Sequence, residues 1–246
     1  MIDNNEELIY RSYRQGGKRY EHAVKADGRE LRFEFEDGLY MLANPLWAQL
    51  EPGASFQPIN PEAIFGNANP LFVEIGIGNG EFIAHHAGNE PQQNWVGFEV
   101  FHKIFHKAVA RCHKVSHGNI RLMQFDAELF VRLLPDKSVS GFYVNFPDPW
   151  PKSKHTKRRL LKTWFMELMS QKLRDDGLIT VATDHDDYAR EITENFAAAQ
   201  SLESALAAPF VNEIGDYYQT KYYRKFAAQG TVYFYQMRKK SLRGSA

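Results

Sequence analysis

Short apolar runs recur through the central and C-terminal parts of the chain, each separated from the next by a stretch long enough for a helix. Leu71–Ile75 is one such run, closed by glycines. Parallel strands buried on both faces read as near-continuous apolar segments, which is the pattern here. Strands are predicted near 71–75, 95–99, 120–125, 141–146 and 178–183, with helices between them. The β-rich pieces at 207–211 and 231–237 would add a sixth and a seventh strand. Such alternation predicts a mostly parallel sheet with helices on both faces and a ligand site beyond the C-terminal ends of the strands.

Upstream the pattern changes. Pro52, Gly53, Pro58, Pro61, Gly66 and Pro70 mark a linker. Residues 1–60 read as a basic, partly flexible extension and linker, and 61–246 as the α/β domain. Over 11–32 there are seven basic residues against Glu21, Asp27 and Glu30, and Gly16-Gly17 interrupts any helix. An RNA-binding arm and an ordinary mobile terminus fit this segment equally well.

Composition adds bounds. The 246 residues carry 30 basic and 30 acidic side chains, a formal net charge of zero, which argues against a generic nucleic-acid coat but not against a local patch. A single cysteine, Cys112, excludes an internal disulfide and suits a reducing, cytoplasmic setting. No apolar run is long enough to cross a bilayer, so no membrane partner is expected. His102 and His106 have a metal-like spacing, but Lys103, Lys107, Arg111 and Lys114 surround them, so no metal is expected either.

Two motifs carry chemistry. Leu71 to Ile83 holds Glu74 and three glycines, Gly76, Gly78 and Gly80, at spacings of two. The dinucleotide fingerprint would place a small residue where this chain has Glu81, and a pyrophosphate would be repelled by Glu74. An adenosyl ligand without pyrophosphate tolerates that acid. Glu99 ends the next predicted strand, where an acid binds ribose hydroxyls, and Asp126 ends the third, suited to an adenine edge. Acids at three successive strand ends point to S-adenosylmethionine. The second motif is Asn145-Phe146-Pro147-Asp148-Pro149-Trp150-Pro151-Lys152, followed by Ser153 to Arg159. The prolines place Asp148 on a stiff, non-helical segment. From Lys152 to Lys162 there are six Lys or Arg and no acid. That run is either a phosphate-binding surface or the solvated start of a helix. Asp184 suits a helix N-cap or a substrate contact, and Tyr217, Tyr218, Tyr222 and Tyr223 suit packing in a late hairpin or a stacking platform.

On these residues, together with Asp126-Ala127, Ala182-Thr183-Asp184 and Thr220-Lys221-Tyr222, the chain resembles the bacterial tRNA (guanine-N7)-methyltransferase family over residues 60–237. The resemblance implies a Rossmann-like class I S-adenosylmethionine-dependent methyltransferase fold with a seven-stranded, mostly parallel sheet, and tRNA as partner. It implies cofactor binding by Glu74, Gly76, Gly78, Gly80, Glu99, Asp126, Ala127, Asn145 and Asp148, with Asp148 also catalytic. Lys152, Asp184, Thr220, Lys221 and Tyr223 would contact the substrate, and Lys154, His155, Lys157, Arg158 and Arg159 the RNA. The family usually follows Thr-Lys-Tyr with Glu, whereas this chain has Tyr223 and then Arg224. That departure leaves open a paralogue acting on another RNA or a small molecule. A non-enzymatic RNA-binding protein on the same fold would lack the cofactor acids.

Overall fold

The structure, a computed structural model, describes residues 8–15, 18–51 and 53–240; for 8–15 and 18–27 only the backbone is described. Strands β1 (Leu8–Gln15) and β2 (Lys18–Arg29) pair antiparallel, and β4 (Ala54–Phe56) joins β2 in parallel to make a three-stranded sheet. The segment expected to be a partly flexible arm thus has a hairpin as its described backbone, with Gly16-Gly17 outside the described residues.

The main sheet is built as the alternation predicts. It contains β3 (Tyr40–Met41), β5 (Leu71–Ile75), β6 (Asn94–Phe98), β7 (Ile120–Met123), β8 (Val139–Asn145), β9 (Leu173–Thr183), β10 (Leu202–Ser204) and β11 (Tyr233–Lys239). The order across it is β10-β11-β9-β8-β5-β6-β7-β3. Pairs from β9 through β7 are parallel, while β11 runs antiparallel to both β9 and β10. This is the doubly wound class I methyltransferase architecture with one extra edge strand, β3, which pairs in parallel with β7. Only two residues long, β3 carries no sequence signal of its own.

Helices cover both faces. On one side, α3 (Glu81–Asn89) and α4 (His102–Cys112) pack Phe82, Ile83, Phe105, Ala108 and Val109 against Trp95, Ile120 and Leu122. On the other, α5 (Ala127–Leu133), α6 (Thr163–Lys172) and α7 (Asp186–Ala198) bury Phe130, Phe165, Met169, Tyr188 and Ile192 against Val73, Phe142, Val144 and Val181. Short helices α1 (Ala43–Trp47) and α2 (Pro61–Phe65) add Leu46 and Phe65 to that second core. The last helix, α8 (Lys221–Ala227), precedes β11.

Two expectations near the C-terminus are corrected. Residues 207–211 are bends with a single bridge from Val211 to Phe234, and the sixth strand is β10 instead. The four tyrosines lie on an irregular loop and the start of α8, not in a hairpin. Propensity failed there because the chain first turns outward to pack Tyr217 on Phe82 and Tyr218 on His85.

Candidate active site

The parallel strands end on one edge of the sheet, and the acids read from the sequence collect there. Glu74 lies one residue from the end of β5 and is 2% exposed. Its Oε1 accepts a hydrogen bond from Asn145 Nδ2 at 3.2 Å, and Asn145 Oδ1 in turn accepts from the Tyr217 hydroxyl at 3.0 Å. Its Oε2 is buried and accepts no hydrogen bond of normal geometry. Burial pushes the carboxyl from 4.5 to about 8, and the Asn145 bond and the Ile83 amide only partly offset that.

The glycine loop follows. Gly76, Gly78 and Gly80 all have positive φ, at 81°, 52° and 73°, a region L side chains rarely adopt. A Cβ on Gly76 or Gly78 would meet nothing within 4 Å, so the loop is open where a ligand would lie. Gly80 differs: a Cβ there would come within 2.8 Å of Ala108 Cβ, so this glycine lets α3 start against α4. Its lack of a side chain serves helix packing, a role the spacing did not suggest.

Glu99 follows β6 and ties the loop down. Its Oε2 accepts from the Gly78 amide at 3.1 Å and its Oε1 from the Phe101 amide at 2.9 Å. Burial raises its carboxyl, the amide bonds oppose that, and the charge of Asp148 raises it further. Asp126 caps α5, accepting from the Glu128 amide at 2.8 Å, and Ala127 is buried behind it. Each ionised oxygen can accept more than one bond, so Glu99 and Asp126 keep acceptor capacity for hydroxyl and amino donors.

Asp148 is exposed on the loop after β8, near enough to Glu99 for its charge to be felt there. That loop is held at both ends. Phe146 donates its amide to Ala182 O at 2.8 Å and packs its ring, tilted by 50°, against Tyr222 with centroids 4.9 Å apart. At the other end Arg159 Nε donates to Pro149 O at 2.7 Å. Phe146 and Trp150 have φ of 52° and 41°, left-handed conformations that a non-glycine residue holds only when its surroundings impose them.

Arg159 is therefore not an RNA contact. It is 4% exposed, and its guanidinium bonds Asp187 Oδ2 at 2.6 Å and Glu191 Oε2, which also takes Lys162 on its second oxygen. In the sequence all the cations of 152–162 look alike; the acids that claim two of them lie on α7, thirty residues downstream. Of the rest of the cluster, Lys152 is exposed just before a 3-10 helix (Ser153–Arg158), and Lys154, Lys157 and Arg158 are exposed on it, with His155 half-buried. Arg158 lies over the Trp150 ring, 4.9 Å from its centroid.

The substrate residues are placed unequally. Asp184 sits at the end of β9, half-buried, and burial followed by the charges of Asp184 and Asp148 raises the Tyr222 phenol, so these three groups share one rim. The cap of α7 is His185, whose Nδ1 accepts from the Tyr188 amide, leaving the Asp184 carboxylate outside the cap. Thr220 is 8% exposed and its hydroxyl caps α8 by accepting from the Tyr223 amide, so it organises the loop from inside. Lys221 is exposed, while Tyr223 packs its ring toward Phe234, Tyr217 and Phe146.

The sequence reading missed Glu81. Its carboxylate accepts from the Lys221 amide at 3.0 and 3.1 Å and lies 3.7 Å from Arg224, joining the helix after the glycine loop to the start of α8. Its only local signal is an acid in the first turn of a helix, which the helix dipole alone would favour. Tyr217, the outer member of the Tyr217–Asn145–Glu74 chain, was read as packing or as part of a stacking platform, not as a hydrogen-bond donor to Asn145.

A buried acid with a free oxygen beside an open glycine loop fits a cationic ligand, and two further acids at adjacent strand ends fit its ribose and base. The donor set is that of an S-adenosylmethionine site. A family model described as "Putative methyltransferase" matches residues 68–235. Three similar proteins are each named tRNA (guanine-N(7)-)-methyltransferase. That of Thermotoga maritima is 38% identical over 189 residues, 76% of this chain, and the chain spans 59% of its length. That of Syntrophotalea carbinolica is 32% identical over 200 residues, 80% of this chain and 85% of that protein. That of Geobacter metallireducens is 35% identical over 193 residues, 77% of this chain and 92% of that protein. With the fold, the acids and this similarity in agreement, the chain belongs to the tRNA (guanine-N(7)-)-methyltransferase family of S-adenosylmethionine-dependent enzymes.

Proposed function

We propose that the chain methylates N7 of a guanine in the variable loop of tRNA, acting in the cytoplasm. The observation that carries this reading is Asp148: an exposed carboxylate on a strained loop pinned at both ends, beside Glu99 and sharing a rim with Asp184 and Tyr222. S-adenosylmethionine supplies the methyl on a sulfonium. Glu74, through its free oxygen, would take the ammonium of the amino-acid moiety, Glu99 the ribose hydroxyls and Asp126 the adenine edge.

Guanine N7 is an unprotonated acceptor in the major groove, so the attacking atom needs no base to free its lone pair. Asp148 would accept a guanine N–H bond, fix the ring's orientation and offset the positive charge that grows on it. In-line placement of two reactants supplies up to roughly 7–11 kcal/mol of a barrier, so a rigid loop is the right carrier for this group. Lys152, exposed before the 3-10 helix, would hold a phosphate, and Lys154, Lys157 and Arg158 would follow the backbone. Tyr222, 48% exposed beside Asp148, offers a face on which a base can stack. Asn145, expected to touch the cofactor, instead supports Glu74 in this reading, because its amide is taken by Glu74 and Tyr217. The domain reading is part of this proposal: 61–246 carries the chemistry and 1–60 precedes it as an RNA-facing extension.

Incubation with methyl-labelled cofactor and a panel of tRNA transcripts tests the reading. The expected product contains 7-methylguanine, detected as one new site of reduction-dependent aniline cleavage in the variable loop. Label incorporated without such a site would assign another atom, and label absent from every tRNA would assign another substrate.

A further inference from the structure

Helix α4 carries a surface that the site above leaves unused. Between Glu99 and Asp126 the chain has five Lys or Arg, four His and no acid. Lys103, Lys107 and Arg111 recur at intervals of four, which aligns them along one side of α4 over about 12 Å, and Lys114 follows in the turn after the helix. All four are exposed, while Phe105, Ala108, Val109 and Cys112 make the buried side. Among the described residues none forms an ion pair with Lys103, Lys107 or Lys114. Arg111 Nε donates to Asn79 O at 3.1 Å, which ties the stripe to the glycine loop. Asp37, 3.7 Å from His113, faces only the C-terminal end of the helix. At the other end Phe101 and Ile104 are 54% and 39% exposed, an aromatic ring and an aliphatic side chain beside Glu99.

The placement matters as much as the charge. The 3-10 helix with Lys152 to Arg158 follows β8 and α4 follows β6, and these strands flank β5 on opposite sides. The two cationic surfaces therefore bracket the cleft. A helix face that carries only positive charge, in a chain of zero net charge, is maintained at a cost in self-repulsion that a polyanion relieves. We infer that the α4 face bearing Lys103 and Lys107, with Lys114 in the turn that follows it, is a second RNA-binding surface, taking tRNA phosphates on the side of the cleft opposite the 152–158 cluster. Phe101 at its head is placed to cover an unstacked base. The inference rests on tRNA being the substrate and names a surface that reading does not require.

The test is tRNA binding by the full chain across a salt series, for the wild type, for K103A/K107A/K114A and for K103R/K107R/K114R. Each lost phosphate contact lowers the log–log salt slope by about 0.7–0.9, so the alanine triple should lose about two to three units of slope and about a hundredfold in affinity near 0.1 M salt. The arginine triple should keep both, and cofactor affinity and thermal melting should match the wild type in each, which separates a lost contact from a lost fold. An unchanged slope in the alanine triple, with a wild type that binds and methylates tRNA, overturns this inference alone. A wild type with no tRNA affinity overturns the substrate reading as well. Retained tRNA binding with lost binding of poly-L-glutamate would assign the face to an acidic protein and overturn the RNA assignment.

Discussion

Asp148 and Glu74 lie at the same edge of the sheet and differ in burial, Glu74 being 2% exposed and Asp148 exposed. The role proposed for Asp148 is to offset a developing cation. Asp148→Asn keeps its size and one acceptor oxygen, so kcat should fall at least about tenfold, roughly 1.4 kcal/mol of transition-state stabilisation. Cofactor affinity measured by calorimetry should change much less, since Glu74, Glu99 and Asp126 remain; an equal loss in both would make Asp148 a binding group only. Glu74 is the opposite case, buried and raised to about 8. An acid whose pKa is higher in the folded chain binds more protons folded than unfolded, so stability falls as pH rises from 4.5 to about 8 and then levels. Glu74→Gln should therefore be indistinguishable from wild type at pH 4 and more stable at pH 8, by an amount on the order of a few kcal/mol, in urea titrations of the ligand-free protein. Parallel stability curves across that window would show that Glu74 ionises freely in the fold.

At the scale of elements, the active loop is held by structure distant in sequence. The Phe146 amide reaches β9, Arg159 joins Pro149 to two acids of α7, and Glu81 joins α3 to α8. The first two ties hold the loop after β8 to a neighbouring strand and to α7, so the loop does not rely on its own prolines for shape. Arg159→Lys retains a charge for Asp187 and Glu191 but loses the fork that also reaches Pro149. It should lower kcat about tenfold with KM for tRNA nearly unchanged and a modest drop in melting temperature. A rise in KM with kcat intact would return Arg159 to the RNA surface and undo the correction made from its burial.

For the whole molecule, zero net charge and RNA binding are compatible because the charges are segregated. Acids line the strand ends and the first turn of α7, while exposed cations gather on the 3-10 helix and α4. Replacing Lys154, Lys157 and Arg158 with alanine should lower the salt slope of tRNA binding by about two units and leave cofactor affinity intact. Slope measurements with Arg159 replaced as well should add little, because a guanidinium held by two carboxylates releases no counterion from RNA. Among the described residues no helix is long and apolar enough to cross a membrane.

The pattern of apolar runs was enough for β5 through β9 and β11 within a residue or two at most ends, β9 starting five residues earlier, because buried parallel strands must be apolar whatever lies beside them. That Glu74, Glu99, Asp126 and Asp148 lie at or just beyond strand ends followed from the same runs, and an acid there breaks the local rule in a way that singles it out as a candidate. Tertiary structure alone decided which cation of Lys152 to Lys162 faces water, since that depends on acids of α7 that no local window contains. It also decided that Gly80 serves helix packing, that Asn145 serves Glu74, and that the tyrosines before β11 lie on a loop and helix. In each case the side chain's type allowed two roles, and the partner that chose between them came from another part of the chain, through contacts that only the closed fold brings together.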